Sequence, residues 1–357
     1  MRYPLLVVLL SSLAFAQVKQ PTLTHQSSGT TQLLIAVSPV DANVVWASGT
    51  GGTYVVTTDG GNHWRSGVVP GAEALQFRDV QGVSANVAYL MSIGDNTTDF
   101  RIYKTYDGGA TWHVQFTNHL SNAFYDCMAF WAPNHGLAHS DSVNGEFPEL
   151  RTQSGQKWQS IESVMPPALA GEASFSSSGT CIATQGDSNA WITTGGATVS
   201  RILATTDGGN TWNAYDTPLI SNASAGGLSV AFRDGKHGIV GGGDLAVNYR
   251  IQLATSEDGG KSWTLTKKPP IGGTIFALAY ASGSSIAATA KDSNDRRVVI
   301  TSEDAPDFDK GAAAWTPDEG ETWYRISGAS GYWGLAFADP QHGWFVGNNG
   351  QILKISF

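Results

Sequence analysis

Five times along the chain an aspartate is followed within five to fourteen residues by an arginine: Asp95 and Arg101, Asp141 and Arg151, Asp187 and Arg201, Asp244 and Arg250, Asp292 and Arg297. In each pair the sequence reads as a strand, then the aspartate, then a short loop, then the arginine at the head of the next strand. Two chemistries suit that order. The aspartate turns the chain and the arginine pairs with it across the hairpin base, an exposed ion pair of about 0–1 kcal/mol. Alternatively, five such pairs ring one face as a polar binding rim.

A second set of carboxylates sits in a tighter phrase. It reads Thr57-Thr-Asp59-Gly-Gly61-Asn-His-Trp64 and returns with Asp107 and Trp112, Asp207 and Trp212, Asp258 and Trp263, and Asp318 and Trp323. A decayed copy, Thr152 to Trp158, lacks the aspartate. The carboxylate can accept backbone N–H groups of its own turn, and the Thr or Ser hydroxyl can close the turn from the other side. The glycines supply positive φ. The tryptophan opens the next strand with a large apolar face. Catalytic acids would not need the glycines and tryptophan in fixed register, so these residues read as structural.

The elements follow from the spacing. The closing tryptophans lie 48, 46, 54, 51 and 60 residues apart, which is room for four short strands, one propeller blade. In the second unit Leu75 to Val80, Val87 to Ser92, Arg101 to Thr105 and Trp112 to Phe116 read as its four strands. The C-terminal unit holds only three, Gly334 to Ala338, Trp344 to Val346 and Ile352 to Ser356. Thr22 to Gln26 can supply the fourth. The expected fold is therefore all-β: a seven-bladed β-propeller of four-stranded antiparallel blades, closed by N- and C-terminal strands in one blade. Closure of that kind removes exposed sheet edges.

Composition bounds the partners. The 357 residues carry a net charge of −9, which argues against nucleic acid and anionic membrane surfaces. Arg2, the apolar run Leu5 to Ala16 and the small-x-small Ala14-Phe15-Ala16 read as a signal peptide over residues 1–16. Residues 17–357 are then a single propeller domain, exported to the periplasm or beyond the cell, without membrane insertion and monomeric. Cys127 and Cys181 admit either a bridge or two buried thiols. No zinc spacing occurs, and neither a metal nor a cofactor is expected. Ser302-Glu-Asp304 aligns with Ser256-Glu-Asp258. The stretch from there to Trp323 holds Asp304, Asp307, Asp309, Asp318, Glu319 and Glu321, read as a solvated acidic loop with calcium as the alternative.

The repeated phrase resembles the Asp box, or bacterial neuraminidase repeat. His342-Gly-Trp-Phe-Val-Gly-Asn-Asn-Gly-Gln-Ile-Leu-Lys354, with Gly235-Lys-His-Gly-Ile-Val-Gly-Gly-Gly-Asp244, resembles the photosystem II stability/assembly factor family of seven-bladed propellers. That resemblance implies a non-enzymatic protein-binding scaffold or assembly factor presenting a basic surface. The family's phrase commonly has Arg just before the box threonine; here that position reads Val56, Lys104, Arg151, Ala204, Thr255 and Lys354. The alternative is a sialidase-like glycosidase or a glycan-binding propeller. Phe100-Arg101-Ile102-Tyr103 approaches the sialidase Phe-Arg-Ile-Pro phrase but lacks its proline. Trp131, Trp191 and Trp333 are candidates to stack on sugar rings, with core packing as the other reading. Because the boxes hold the third–fourth strand turns of an antiparallel meander, the second–third loops lie on the opposite face. Function is expected there, with Trp191 as an aromatic anchor in the loop from Asp187 to Thr198.

Overall fold

The computed structural model of the protein describes residues 18–161, 164–247, 250–283, 294–304 and 311–357. The expected signal peptide lies outside the described residues. Seven antiparallel four-stranded sheets are arranged in a ring. Counted along the chain, the inner strands of blades 1 to 7 are Leu34–Pro39, Gln76–Gly82, Tyr125–Ala132, Ile182–Gln185, Ala225–Phe232, Thr274–Tyr280 and Tyr332–Asp339. Each is followed by a second, a third and an outer strand. Most residues of these strands are buried, as expected of strands covered on both faces by neighbouring sheets.

Blade 7 closes the ring as the sequence implies. Its outer strand is Thr22–Ser27, paired antiparallel with Gln351–Ser356 so that Thr22 lies opposite Ser356 and Ser27 opposite Gln351. Aromatic clusters fill the spaces between blades. Trp112 of blade 2 packs edge-on against Trp46 and Tyr54 of blade 1. Trp158 of blade 3 packs against Tyr89 of blade 2, and Trp263 of blade 5 lies in one cluster with Trp191 of blade 4. The tryptophan of a box thus faces the preceding blade. Cys127 and Cys181 form a disulfide with Cα atoms 6.0 Å apart, joining the inner strand of blade 3 to the residue that opens that of blade 4.

Two blades depart from the expected strand order. In blade 4 the inner and second strands are Ile182–Gln185 and Asn189–Thr193. Asp187 therefore sits in their connecting turn, on the box side, and Trp191 lies within the second strand. In blade 6 the second strand is Val298–Glu303. Arg297 precedes it on the box side, and Ser302-Glu303-Asp304 ends a strand instead of beginning a box. The acidic stretch is split between the two faces: Asp304 follows the second strand at one end of a hairpin, and Asp318 lies at the other, since Ser302 pairs with Ala312 and Val298 with Thr316. Asp292, Asp307 and Asp309 lie outside the described residues. No group of three metal-ligating side chains forms among the described residues, and no helix there is long and apolar enough to cross a membrane.

Candidate functional site: the loop-side mouth of the channel

The box side is occupied by its own hydrogen bonds. Thr57 Oγ1 donates to Asp59 Oδ1 at 2.9 Å and accepts Gly61 N–H, while His63 N–H donates to Asp59 Oδ1 at 2.9 Å. The same set recurs at Asp107, Asp207, Asp258 and Asp318. These bonds hold Asp59, Asp107 and Asp207 at about 2, chiefly through the His63 backbone N–H for the first and the Thr111 and Thr211 hydroxyls for the others. The second box glycine has a further role. Gly109 takes φ 89°, and a Cβ there would lie 2.6 Å from the Tyr54 ring of the preceding blade. The decayed copy keeps the Thr152 to Gly155 bond at 2.9 Å without the carboxylate.

The opposite side is built differently. The chain between blades 3 and 4 does not take a short path; from residue 164 to Cys181 it crosses the channel mouth. Glu172, fully buried, anchors it. Both Glu172 carboxylate oxygens accept from Arg201, with Nε at 2.8 Å from Oε1, and Thr194 Oγ1 donates at 2.7 Å. Beyond that anchor, Ser176 O accepts from Arg78 Nη1 of blade 2 at 3.2 Å. Ser177 and Ser178 Oγ donate to Phe276 O of blade 6 at 2.9 and 2.6 Å. One short segment thereby links blades 2, 4 and 6 as a plug.

The plug divides the channel. On the box side lies a cavity of about 140 Å³ lined by residues of all seven inner strands. On the loop side lies a cavity of about 500 Å³, large enough for a small organic group or a side chain. Aromatic rings wall it. The Arg78 guanidinium lies 5.6 Å over the Trp333 ring, and Trp333 meets Phe276 edge-on at 4.9 Å. Asp126 and Asp141 form its acidic wall and hydrogen-bond to each other. Burial, then the neighbouring Asp141 charge, push the Asp126 carboxyl well above the ordinary range. Burial pushes Asp141 up to about 6, opposed by bonds from Asp126 and from Ser174 N–H at 2.9 Å.

No protein-family model matches the sequence, and no curated protein matches it. Solved structures share the fold, two of them as follows. One, described as YCF48 bound to D1 peptide, superposes with a TM-score of 0.64 at 17% identity, covering 98% of this chain and 100% of that chain. The other, YCF48 from Cyanidioschyzon merolae, gives 0.63 at 16% identity over 94% of this chain and 98% of that one. In fold, the chain resembles the photosystem II assembly factor YCF48. The basic residues at the position before the box, a feature of the resemblance, have a structural use here. Lys104 Nζ donates to Gly155 O of the next blade at 2.7 Å, Lys354 Nζ to Gly60 O at 3.1 Å, and Arg151 to Gly209 O. They staple blades 2, 3 and 7 to the blade that follows in the ring.

The Asp–Arg pairs are placed only in part as the sequence suggests. Asp95 and Asp141 follow second strands, Asp244 ends one, and Arg101, Arg151, Arg201 and Arg250 lie at or near the head of third strands. Their partners mostly differ from those expected. Arg101 Nε donates to Thr98 O at 2.7 Å, Arg151 pairs with Glu149 at 2.7 Å, and Arg201 with Glu172. Arg297 Nε donates to Asp295 at 2.9 Å. Asp244 accepts Ser224 Oγ at 2.8 Å and feels the charge of Arg250. Asp187 is exposed and on the box side. Trp191 is 1% exposed, stacks at 3.5 Å on Phe232 and donates to Gly259 O at 2.8 Å; it is an inter-blade wedge, not a loop anchor. Trp131 is likewise buried, donating to Asn189 O at 2.7 Å. Of the three tryptophans considered for stacking, Trp333 alone lines the loop-side cavity. Sequence reasoning missed Arg78, Asp126 and Glu172. Arg78 and Asp126 sit near the start of inner strands, positions that look like core, and Glu172 lies in a linker without a repeat to align it.

Proposed function

We propose that this chain is a non-enzymatic protein-binding scaffold of the assembly-factor kind, exported after removal of residues 1–16, and that it engages its partner with the face carrying the second–third strand loops. The observation that carries this reading is the contrast between the two faces. On the box face the turns spend their polar groups on one another and on the next blade. The loop face has loops of differing length and chemistry around an open cavity with an aromatic and charged wall. The YCF48 structure with a D1 peptide supports protein binding as the use of this fold. Photo-crosslinking tests the reading: a benzophenone side chain at exposed Thr98 on the loop face or at exposed Asn62 on the box face, in the mature protein within its native envelope fraction. Crosslinks to one protein from position 98 and none from position 62 are expected; the reverse pattern overturns the choice of face. Export is tested by intact mass, which should match a chain beginning at Gln17.

A further inference from the structure

We propose that the outer edge of blade 5 is a docking groove for an extended, acidic segment of a partner protein, which adds to the sheet where its outermost strand stops short. The proposal deepens the reading above and rests on it, since the groove lies at the loop-side end of the blade. In blades 1, 2 and 4 the bonding between third and outer strands runs a fixed distance. The carbonyl five residues before the box threonine still accepts: Gly52 O from Val69 N–H at 2.9 Å, Phe100 O from Asn118 N–H at 2.9 Å, and Ser200 O from Thr217 N–H at 2.8 Å. In blade 5 the outer strand is only Thr264–Leu265, the shortest of the seven. Its bonding ends three residues before Ser256, with Thr266 N–H on Leu253 O at 2.9 Å. The chain then leaves the edge, and Lys267 N–H donates to Gly320 O of blade 6 at 3.1 Å. Ile251, five residues before Ser256, has no backbone donor on its carbonyl among the described residues, and Leu253 N–H has no backbone acceptor there. Alternate residues of an antiparallel strand direct N–H and C=O to the same edge, so these two groups follow Leu253 O along the outer edge.

A cavity of about 390 Å³ occupies the place of the missing strand end, and Ile251, Leu253 and Leu265 line it together with Arg250, Lys267 and Lys268. An unpaired strand edge is a template for another extended chain, whose backbone supplies the missing donors and acceptors. The side chains select which chain. Arg250, Lys267 and Lys268 are all exposed, and no carboxylate lines the cavity among the described residues. Lys267 lies 3.5 Å from Glu321, but both are 71% exposed, so solvent screens that pair and a ligand can replace it. Three cations around one groove stand out on a chain of net charge −9. Their complement is a segment bearing carboxylates, and a second copy of this acidic chain is disfavoured. Leu265, 46% exposed, offers apolar contact between the charges. Because side chains alternate along a strand, the fitting segment alternates acidic and apolar residues.

The test titrates fluorescein-labelled Gly-Glu-Val-Glu-Val-Glu-Val-Gly-amide into the full mature protein and follows anisotropy. Saturable binding is expected, with the counterpart carrying Lys for each Glu weaker by about tenfold or more. The joint Arg250→Gln and Lys267→Gln variant should lose about tenfold or more in affinity for the acidic peptide. Hydrogen exchange read by mass spectrometry locates the contact: the bound peptide should slow exchange in residues 250–256, which hold the Leu253 amide, and leave residues 200–205 of blade 4 unchanged. No binding of the acidic peptide, equal binding of the Lys peptide, unchanged affinity in the double variant, or slowed exchange only outside residues 250–256 overturns the proposal. The wild-type peptide pair and the exchange map decide it even if the variant does not fold. Vesicles of phosphatidylglycerol that bind the wild type, when the acidic peptide does not, assign the cations to an anionic surface and likewise overturn it. Crosslinks from position 98 without peptide binding remove this inference and leave the functional reading standing; crosslinks from position 62 alone remove that reading.

Discussion

Asp207 shows how a single box carboxylate acts. It accepts from the Thr211 N–H at 2.9 Å, the Thr211 hydroxyl at 2.7 Å and the Thr205 hydroxyl at 2.8 Å, yet the residue is exposed to solvent. Water can replace part of what is lost, so Asp207→Ala should lower stability by about 1 kcal/mol, the scale of one net hydrogen bond. Urea unfolding measures this, and crosslinking from position 98 should be unchanged. A selective loss of crosslinking at unchanged stability would assign the box a binding role instead. His139 is a sharper case. It is fully buried, neither ring nitrogen has a hydrogen-bond partner among the described residues, and it packs against Phe147 at 5.1 Å. Burial holds its pKa down at about 3. An unfolded histidine titrates near 6.5, so below that pH the unfolded chain takes up a proton that the native chain refuses. Its contribution is intact above pH 6.5 and is lost as pH falls towards 3. His139→Phe should therefore flatten the acid side of the stability curve, gaining about 2–3 kcal/mol on the wild type between pH 6.5 and 4.5. Parallel curves for the two proteins would show that the imidazole is not held neutral.

Among the elements, the plug between blades 3 and 4 depends on one ion pair. Arg201 is 8% exposed and Glu172 1% exposed. Removing one member of such a pair leaves an unpaired buried charge, which typically costs about 3–5 kcal/mol. Arg201→Met should cost that much, whereas the joint Arg201→Met and Glu172→Gln change should recover a good part of it, as read by denaturant midpoints. Equal losses in the single and double variants would mean that the pair does not anchor the plug. The same two elements mark how far the sequence could be read. The boxes were legible because Thr, Asp, Gly and Trp each have a fixed task in one turn, and the closing strand was legible because three C-terminal strands need a fourth. Blades 4 and 6 were misread for a local reason. Gly186-Asp187 has the composition of a loop and placed Trp191 outside a strand, when it is a strand residue wedged on Phe232. Ser302-Glu303-Asp304 copies the opening of a box, but the residues before it are the second strand. Partners from distant sequence, such as Arg201 with Glu172 and Arg78 with Ser176, carry no local signal at all.

The whole ring is held by two long-range closures. Residues 18–30 include the outer strand of blade 7, Thr22–Ser27. Their removal should leave the edge of Gln351–Ser356 without its partner, so that the truncated chain melts lower and associates through that edge; size-exclusion chromatography and thermal melting check it, and a monomer of unchanged melting temperature would contradict it. The disulfide closes a separation of 54 residues, for which chain-entropy arguments give about 4 kcal/mol. The double variant Cys127→Ala and Cys181→Ala should lose stability on that scale in urea.

The pairing of Thr22–Ser27 with Gln351–Ser356 also orders events in time. Thr22–Ser27 leaves the ribosome before the other described strands, and its partner Gln351–Ser356 follows all of them. Until those residues emerge, six blades can assemble only as an open horseshoe, with unpaired edges and a channel gaping on one side. A chain whose synthesis stops early therefore cannot reach a closed state by any rearrangement, however well its individual blades fold. Completion of the ring acts as a built-in check that Gln351–Ser356 has been made, and the interval before closure is when the protein is most exposed to proteases and to association with other copies of itself.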